Sequence, residues 1–457
     1  MRAISDGAYA NLELTQALRR ARLEPRDAAF VTELVSGATR WRGRYDAIIA
    51  AASSRPVSTL DGNVLDTLRL GAHQILGMRV PEHAAVGETV ALARAVNGIG
   101  PSKLVNAVLR RISERTLEEW LVETVPDEPA SARLSALHSH PEWIVKALRQ
   151  ALIGHGVVDS AGADDELGRL LESDNAAPPV QIVARPGLGA EDDLANSPAE
   201  EAPLAPTAWE LPGGDPGRIT AIRDGRAAVQ DAGSQLLALA LAAVPLTGAA
   251  AQAPQRWLDL CAGPGGKAGL LAALAAELGA DLVANEVSEH RAELVSATLR
   301  AVTEVAARDG RTIEVRIGDG REVGEQEPDA YTRVLVDAPC TGLGALRRRP
   351  EARWRRVPGD LATLGPLQRD LLSAAISATV PGGVIGYATC SPHLAETTFV
   401  VQDVIKRRDD VELIDARPFF RDRAGDQIPF LGEGPTVQLW PHRHSTDGMF
   451  TALMRRR

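Results

Sequence analysis

Apolar residues recur at three- and four-residue spacing through the first 125 positions, over 11–22, 26–40, 63–76, 83–96 and 103–115. Pro25, Gly43, Pro56, Gly77, Pro81, Gly98 and Pro101 punctuate the gaps, so the region reads as a helical domain. Residues 126–150 read as a connector ending in a helix begun near Pro141. Periodicity then fades. Between 151 and 216 only PVQIVAR (179–185) has convincing strand character, and the acidic runs at 164–166 and 191–193 read as solvated loops. A poorly ordered loop is expected near 189–206, inside a small loop-rich α/β subdomain.

From about 217 the pattern alternates. Candidate strands at 257–261, 281–286, 312–317, 333–337 and 383–388 are separated by helical stretches at 266–278, 290–307, 366–380 and 394–406. That alternation predicts a doubly wound, Rossmann-like α/β domain. Two more strand-like runs, 437–440 and 449–454, follow with no helix between them, so a terminal antiparallel hairpin is expected. By pattern the chain divides into 1–125 (helical), 126–216 (connector and small subdomain) and 217–457 (α/β domain).

The stretch LDLCAGPGGKAG (258–269) has the form of a first strand turning tightly into a helix. Gly263, Gly265 and Gly266 let a backbone approach a nucleotide-like ligand there. A dinucleotide fingerprint would need a third glycine where Ala268 stands, and a phosphate-binding loop would need Ser or Thr after Lys267. A plain strand-to-helix turn gives the same local pattern.

Ligands of such sheets bind at the carboxyl ends of the strands, and those ends carry chemistry. Glu286 closes the second strand, where a carboxylate can accept from ribose hydroxyls. Asp319 (in GDGR) follows the third strand, Asp337 (in DAPC) closes the fourth, and YATCSP (387–392) ends the fifth. The only three cysteines, Cys261, Cys340 and Cys390, all stand at strand ends, so at least two are expected in one cleft. Cys261 reads as a small buried residue beside the loop. Pyrimidine carbon 5 becomes nucleophilic only after something adds to carbon 6, and a thiolate can add there. Cys340 and Cys390 therefore suit cytosine-5 methylation. None of the cysteines has zinc-ligand spacing, and no metal is expected.

Composition changes this picture little. Hydrophobic content of 45% and charge of 24% are ordinary for a soluble globular chain of 457 residues. No apolar run reaches the roughly 20 residues that span a bilayer, and the N-terminus lacks a secretory core, so a cytoplasmic protein is expected. Of the net charge of −10, residues 151–216 hold 13 acidic against 2 basic side chains, whereas 1–150 (19 basic, 17 acidic) and 217–457 (29 and 30) are near neutral. Charge neither supports nor excludes RNA.

Specific resemblance begins at these motifs. LDLCAGPGGK, NEVSEHR, GDGR, VDAPCTGLGALRRRPEARW and GYATCSP resemble the ordered motifs of RNA cytosine-5 methyltransferases. The N-terminal stretches DAAFVTELVSGATRWRGRYDAII and LRLGAHQILGMRVPEHAAVGETVALAR, with KLVNAVLRRI, resemble the NusB family of helical RNA-binding domains. With VQDAGSQL (229–236), the whole is similar to the bacterial Sun/Fmu-type small-subunit rRNA methyltransferases. The resemblance implies a class I methyltransferase domain preceded by an all-α NusB-like domain and a small connecting subdomain. It implies S-adenosylmethionine against Cys261, Ala262, Gly263, Pro264, Gly265, Gly266 and Lys267. It further implies Glu286 on the ribose, Asp319 near the adenine, and Asp337 near the methionine moiety and target base. Cys390 would be the nucleophile, Cys340 would assist release, and Lys267 would contribute to the base site. In DNA cytosine-5 methyltransferases the Pro-Cys cysteine attacks, which would nominate Cys340 instead. The sequence departs from the family where Leu394-Ala395-Glu396-Thr397 replaces a Pro-Glu-Glu-Asn-like stretch, which puts a role for that turn in doubt.

Six arginines between Arg347 and Arg356, with Trp354 among them, read as an RNA clamp. His73 and His83 read as core or surface residues, and His442 and His444 as structural or RNA-facing. The partner expected is small-subunit rRNA with its target base unstacked. The alternatives are the same chemistry on tRNA and an inactive RNA-binding assembly or antitermination factor. A nicotinamide dehydrogenase has no use for paired cysteines.

Overall fold

The computed structural model describes residues 1–5, 7–8 and 10–457, the side chains of Ser5, Asn11 and Leu12 aside. It contains two compact units. One comprises Met1–Arg149, Ser160–Ala177 and Leu346–Val357; the other comprises Gln150–Asp159, Pro178–Ala345 and Pro358–Arg457.

The first unit is helical. The periodic segments form helices at Ala10–Ala21, Pro25–Arg40, Gly62–Leu76, Glu82–Asn97 and Ile99–Ser113. Arg42–Ser53, Leu117–Thr124 and Ala130–His138 are further helices that the spacing did not single out. Gly43 had read as a break, but it lies in the first turn of Arg42–Ser53, where a helix tolerates it. Asp61 caps Gly62–Leu76 by accepting from the Asn63 N–H at 2.9 Å. Thr116 and Glu119 cap Leu117–Thr124 reciprocally. Tyr45, Ile48, Leu68, Ala72, Leu109, Ile112 and Trp120 meet in the core of this unit. His73 is buried against the Tyr45 hydroxyl at 2.8 Å, and His83 is exposed.

Two expectations need correction in this unit. The acidic run at 164–166 is the first turn of the helix Ala163–Ser173, where carboxylates favour the helix N-terminus. The arginine run is mostly structural. Arg353 is fully buried and donates to the carbonyls of Arg40 (3.2 Å), Ser139 (3.4 Å) and Asp174 (2.7 Å) and to Asn175 Oδ1 (2.7 Å). Arg347 is buried too, Trp354 stacks beside the Arg42 guanidinium, and only Arg348 and Arg349 of the six are well exposed. A clamp of six arginines is therefore excluded. Carbonyls at the ends of three helices draw Arg353 inward, a requirement invisible in a charge run. Arg353→Ala should strip four acceptors of their donor and destabilise the helical unit by about 3 kcal/mol. That loss would appear as an earlier unfolding step in urea.

The second unit carries two sheets. In the smaller, β1 (Val180–Ala184), β2 (Glu200–Glu201), β3 (Ala208–Leu211) and β4 (Ala227–Val229) pair antiparallel in the order β2-β3-β1-β4. The loop expected near 189–206 is instead built into this layer. It forms the short helix Glu191–Ala195 and β2, and it buries Leu194 and Ala199 in one cluster with Trp209 and Leu211. Alanines spaced to fit under a tryptophan look like a loop in sequence.

The larger sheet runs β10-β12-β9-β8-β5-β6-β7, where β5 is Arg256–Asp259, β6 Asp281–Glu286, β7 Ile313–Ile317, β8 Tyr331–Asp337, β9 Thr379–Thr389, β10 Val411–Ile414 and β12 Phe450–Arg456. Strands β5 to β9 are parallel; the near-continuous apolar runs of β5, β6, β8 and β9 are buried under helices on both faces, and β7 is the half-exposed edge. The chain end is not a simple hairpin. β12 is antiparallel to both β9 and β10, with β11 (Val437–Gln438) pairing beside it. VELI at β10 is too short and polar to stand out. No described helix is long and apolar enough to cross a membrane.

Candidate active site

Reversal of strand order at β5 opens a crevice at the carboxyl ends of β5, β6 and β8. After β5 the chain turns through the glycine loop into the helix Gly266–Glu277. Gly265 has φ +110°, a conformation that side-chain-bearing residues rarely adopt. Gly263 N–H donates to Glu286 Oε2 at 3.1 Å. Glu286 is 3% exposed and also accepts from the Ser288 N–H at 2.9 Å and from Arg291 at 2.6 Å. Asn285 donates to the carbonyls of Leu260 and Gly318, both at 3.1 Å, which ties the β5 and β7 ends together. Asp319 lies at the β7 end, where hydrogen bonds from the side chain and N–H of Arg321 hold its carboxyl below the usual range.

A Cβ on Gly263 would lie 2.2 Å from Glu286 Oε2. Gly263→Ala should therefore push the loop off Glu286 and weaken the S-adenosylmethionine binding that the resemblance implies here at least about 30-fold, roughly 2 kcal/mol. Isothermal titration of the variant checks this, and unchanged affinity would separate the loop from the cofactor.

Beneath the loop lies a charged cluster. Lys267 Nζ and Asp337 Oδ2 are 2.8 Å apart and largely shielded from solvent. Burial works against the Lys267 charge, but Asp337 outweighs it, and the negative potential of Cys390 and Asp259 adds to the upward shift. Asp259, the last residue of β5, is fully buried, and the backbone N–H of Cys261 is the hydrogen-bond donor that favours its carboxylate. Burial, and then Asp337, push its carboxyl up to about 7.

Beside that cluster stand the cysteines. Cys390 directly follows β9 and Cys340 lies three residues past β8; their sulfurs are 3.4 Å apart and not joined by a disulfide. Hydrogen bonding to Cys390 and burial hold the Cys340 thiol well above its ordinary range. Cys261 packs against the apolar cluster under β8, and burial raises its thiol likewise. Gly344 N–H donates to the Cys390 carbonyl at 2.9 Å, and Gly448 N–H donates to the Gly344 carbonyl at 2.8 Å. His444 is buried and accepts from the Trp440 N–H at 2.9 Å, a structural role. Lys267, Asp337, Cys340 and Cys390 thus converge, while Glu286 and Asp319 stand apart at the β6 and β7 ends. Asp259 was not foreseen, because in sequence it reads only as a strand end. Among the described residues no cluster of His, Cys, Asp and Glu could hold a metal ion.

Residues 247–455 match the family model of the 16S rRNA methyltransferases RsmB/F, and residues 2–114 match the NusB family. A Mycobacterium tuberculosis protein named as a methyltransferase is 48% identical over all of this chain and 94% of its own length. An Escherichia coli ribosomal RNA small subunit methyltransferase B is 30% identical over 95% of this chain and 91% of its own. The chain belongs to the RsmB/F methyltransferase family. Among solved structures, PH0851 superposes with a TM-score of 0.75 at 20% identity, covering 97% of this chain and 93% of that one, which shows a shared fold. As an RsmB/F enzyme with a NusB domain, the protein is an RNA methyltransferase, and the class I arrangement expected from the strand-end motifs is the one observed.

Proposed function

We propose that this RsmB/F enzyme forms 5-methylcytosine in small-subunit rRNA, in the cytoplasm, by way of a bond between Cys390 and carbon 6 of the base. The observation that carries the reading is the pair of thiols 3.4 Å apart beside the Lys267–Asp337 ion pair. One thiol suffices for addition; a second at that distance suits a reaction that must also undo the addition.

S-adenosylmethionine fits the loop from Cys261 to Lys267, since Gly263 leaves no room for a side chain beside Glu286 and Gly266 opens onto free space. When bound, it supplies the electrophilic methyl group. A ribose diol would take the place of the half-exposed Arg291 on Glu286, with Asp319 near the adenine. The Lys267 ammonium favours the thiolate of Cys390, which adds to carbon 6 and makes carbon 5 nucleophilic. Asp337 orients Lys267 and faces the polar edge of the base. After methyl transfer water takes the carbon-5 proton, the freed electron pair forms the carbon-5–carbon-6 double bond, the carbon–sulfur bond breaks, and Cys390 recovers the carbon–sulfur pair, with Cys340 beside it to assist release.

The test is transfer of labelled methyl from S-adenosylmethionine to unmodified 16S rRNA and, in parallel, to tRNA, with the product nucleoside identified by mass spectrometry. 5-Methylcytosine in rRNA is the expected product. Product confined to tRNA would move the substrate, and no transfer to either would favour an RNA-binding factor.

A further inference from the structure

Behind the two thiols is a buried polar lock that the reaction above does not use. Glu396 is wholly buried in the turn before the helix Thr398–Lys406. Its Oε1 accepts from the Thr341 N–H at 2.8 Å and from Gln368 Nε2 at 3.3 Å, and its Oε2 accepts from the Thr341 hydroxyl. The Thr341 and Ser391 hydroxyls are 3.1 Å apart, so Ser391 can donate to Thr341 while Thr341 donates to Glu396. Gln368 also donates to the Pro339 carbonyl at 2.8 Å, and the Tyr387 hydroxyl donates to the Glu396 carbonyl at 2.8 Å. Thr341 follows Cys340 and Ser391 follows Cys390, so one carboxylate fastens both cysteine loops one residue from each sulfur. All four side chains (Thr341, Gln368, Ser391, Glu396) are at most 1% exposed, and water cannot substitute for a lost partner.

We propose that Glu396 is a positioning residue for the proposed transfer, holding Cys340 and Cys390 at mutual reach through Thr341 and Ser391. The proposal rests on the cysteine chemistry above, but the geometry it claims can be read without that chemistry. Glutamine keeps an acceptor for the Thr341 N–H and can donate to the Thr341 hydroxyl, which then turns toward Ser391. Alanine keeps nothing. Valine at 341 preserves shape and removes only the hydroxyl.

The experiment treats the full-length protein with diamide. Closing the Cys340–Cys390 disulfide removes one hydrogen from each thiol, and the diazene becomes the hydrazine, so the rate is followed as a loss of about two mass units on the joined peptides. Closure should slow at least about 10-fold in Glu396→Ala and Thr341→Val and stay within about 3-fold of the unmutated protein in Glu396→Gln. Single-turnover methyl transfer should fall about 100-fold in Glu396→Ala with the KM for S-adenosylmethionine within about 2-fold, and Glu396→Gln should recover most of it. Closure in Glu396→Ala as fast as in the unmutated protein, or Glu396→Gln as slow as alanine, overturns the proposal. Should Glu396→Ala fail to fold, Thr341→Val decides: wild-type closure there overturns it, and slowed closure supports it. Closure that depends on Glu396 in a protein forming no 5-methylcytosine would sink the reaction reading and leave the positioning role standing.

Discussion

Cys390→Ala protein, incubated with S-adenosylmethionine and unmodified small-subunit rRNA, should show no protein–RNA adduct on a denaturing gel and a turnover at least about 10⁴-fold below the unmutated enzyme. Cys340→Ala should instead accumulate the adduct. Surroundings separate the two. Both thiols are within reach of one another, but Lys267 lies in the field of Cys390, whereas the hydrogen bond with Cys390 and burial, with smaller contributions from Glu396 and Asp337, favour the protonated form of Cys340. A cation beside a thiol favours its thiolate, which nominates Cys390 for the attack. A reversed pattern, with adduct from Cys390→Ala only, would hand the attack to Cys340 and leave the reaction class intact. Adduct from neither, with methyl transfer surviving both, would remove covalent catalysis.

Legibility of the molecule in its sequence follows the strength of local constraint. Parallel strands β5, β6, β8 and β9 are buried on both faces, so their apolar runs and the turns that end them are constrained residue by residue, and the crevice could be located from them. The cysteine pair could be placed because each stands at the end of a different strand and strand ends converge. What escaped notice depends on partners distant in sequence. Arg353 looks like one more surface arginine until the carbonyls of Arg40, Ser139 and Asp174 surround it. β10 is four residues long and exists because β12 turns back beside it. Glu396 sits in a stretch that departs from the family pattern, yet its side chain makes contacts to Thr341 and Gln368 that no local pattern announces. The alanines at 190–205 read as a poorly ordered loop because small size is informative only beside the large residues they fit.

Asp259 carries the other large effect, and it is one of stability against pH. In the unfolded chain its carboxyl titrates near 3.8; in the fold, burial and the neighbouring Asp337 move it up to about 7. The unfolded state thus releases its proton first as pH rises, so this group's contribution is intact below about 3.8 and is lost progressively until pH passes 7. A rise from 3.8 to about 7 corresponds to about 4 kcal/mol, the order of magnitude by which the ionised carboxylate strains the native state at alkaline pH. Asp259→Asn removes the titration while keeping the shape. Chemical denaturation of both proteins should show the asparagine variant gaining on the unmutated one by roughly 2.5 kcal/mol between about pH 5 and pH 8, with Lys267–Asp337 unchanged in either. A gap that stays flat with pH would mean that Asp259 ionises at its ordinary value and that Lys267 compensates it fully. A destabilised carboxylate at the floor of the crevice proposed for the cofactor has a use for its charge, so the same variant should be the more stable protein and the poorer enzyme, with weakened S-adenosylmethionine binding as the measurable loss. Gain of stability without loss of binding would leave Asp259 a strained core residue with no part in the site.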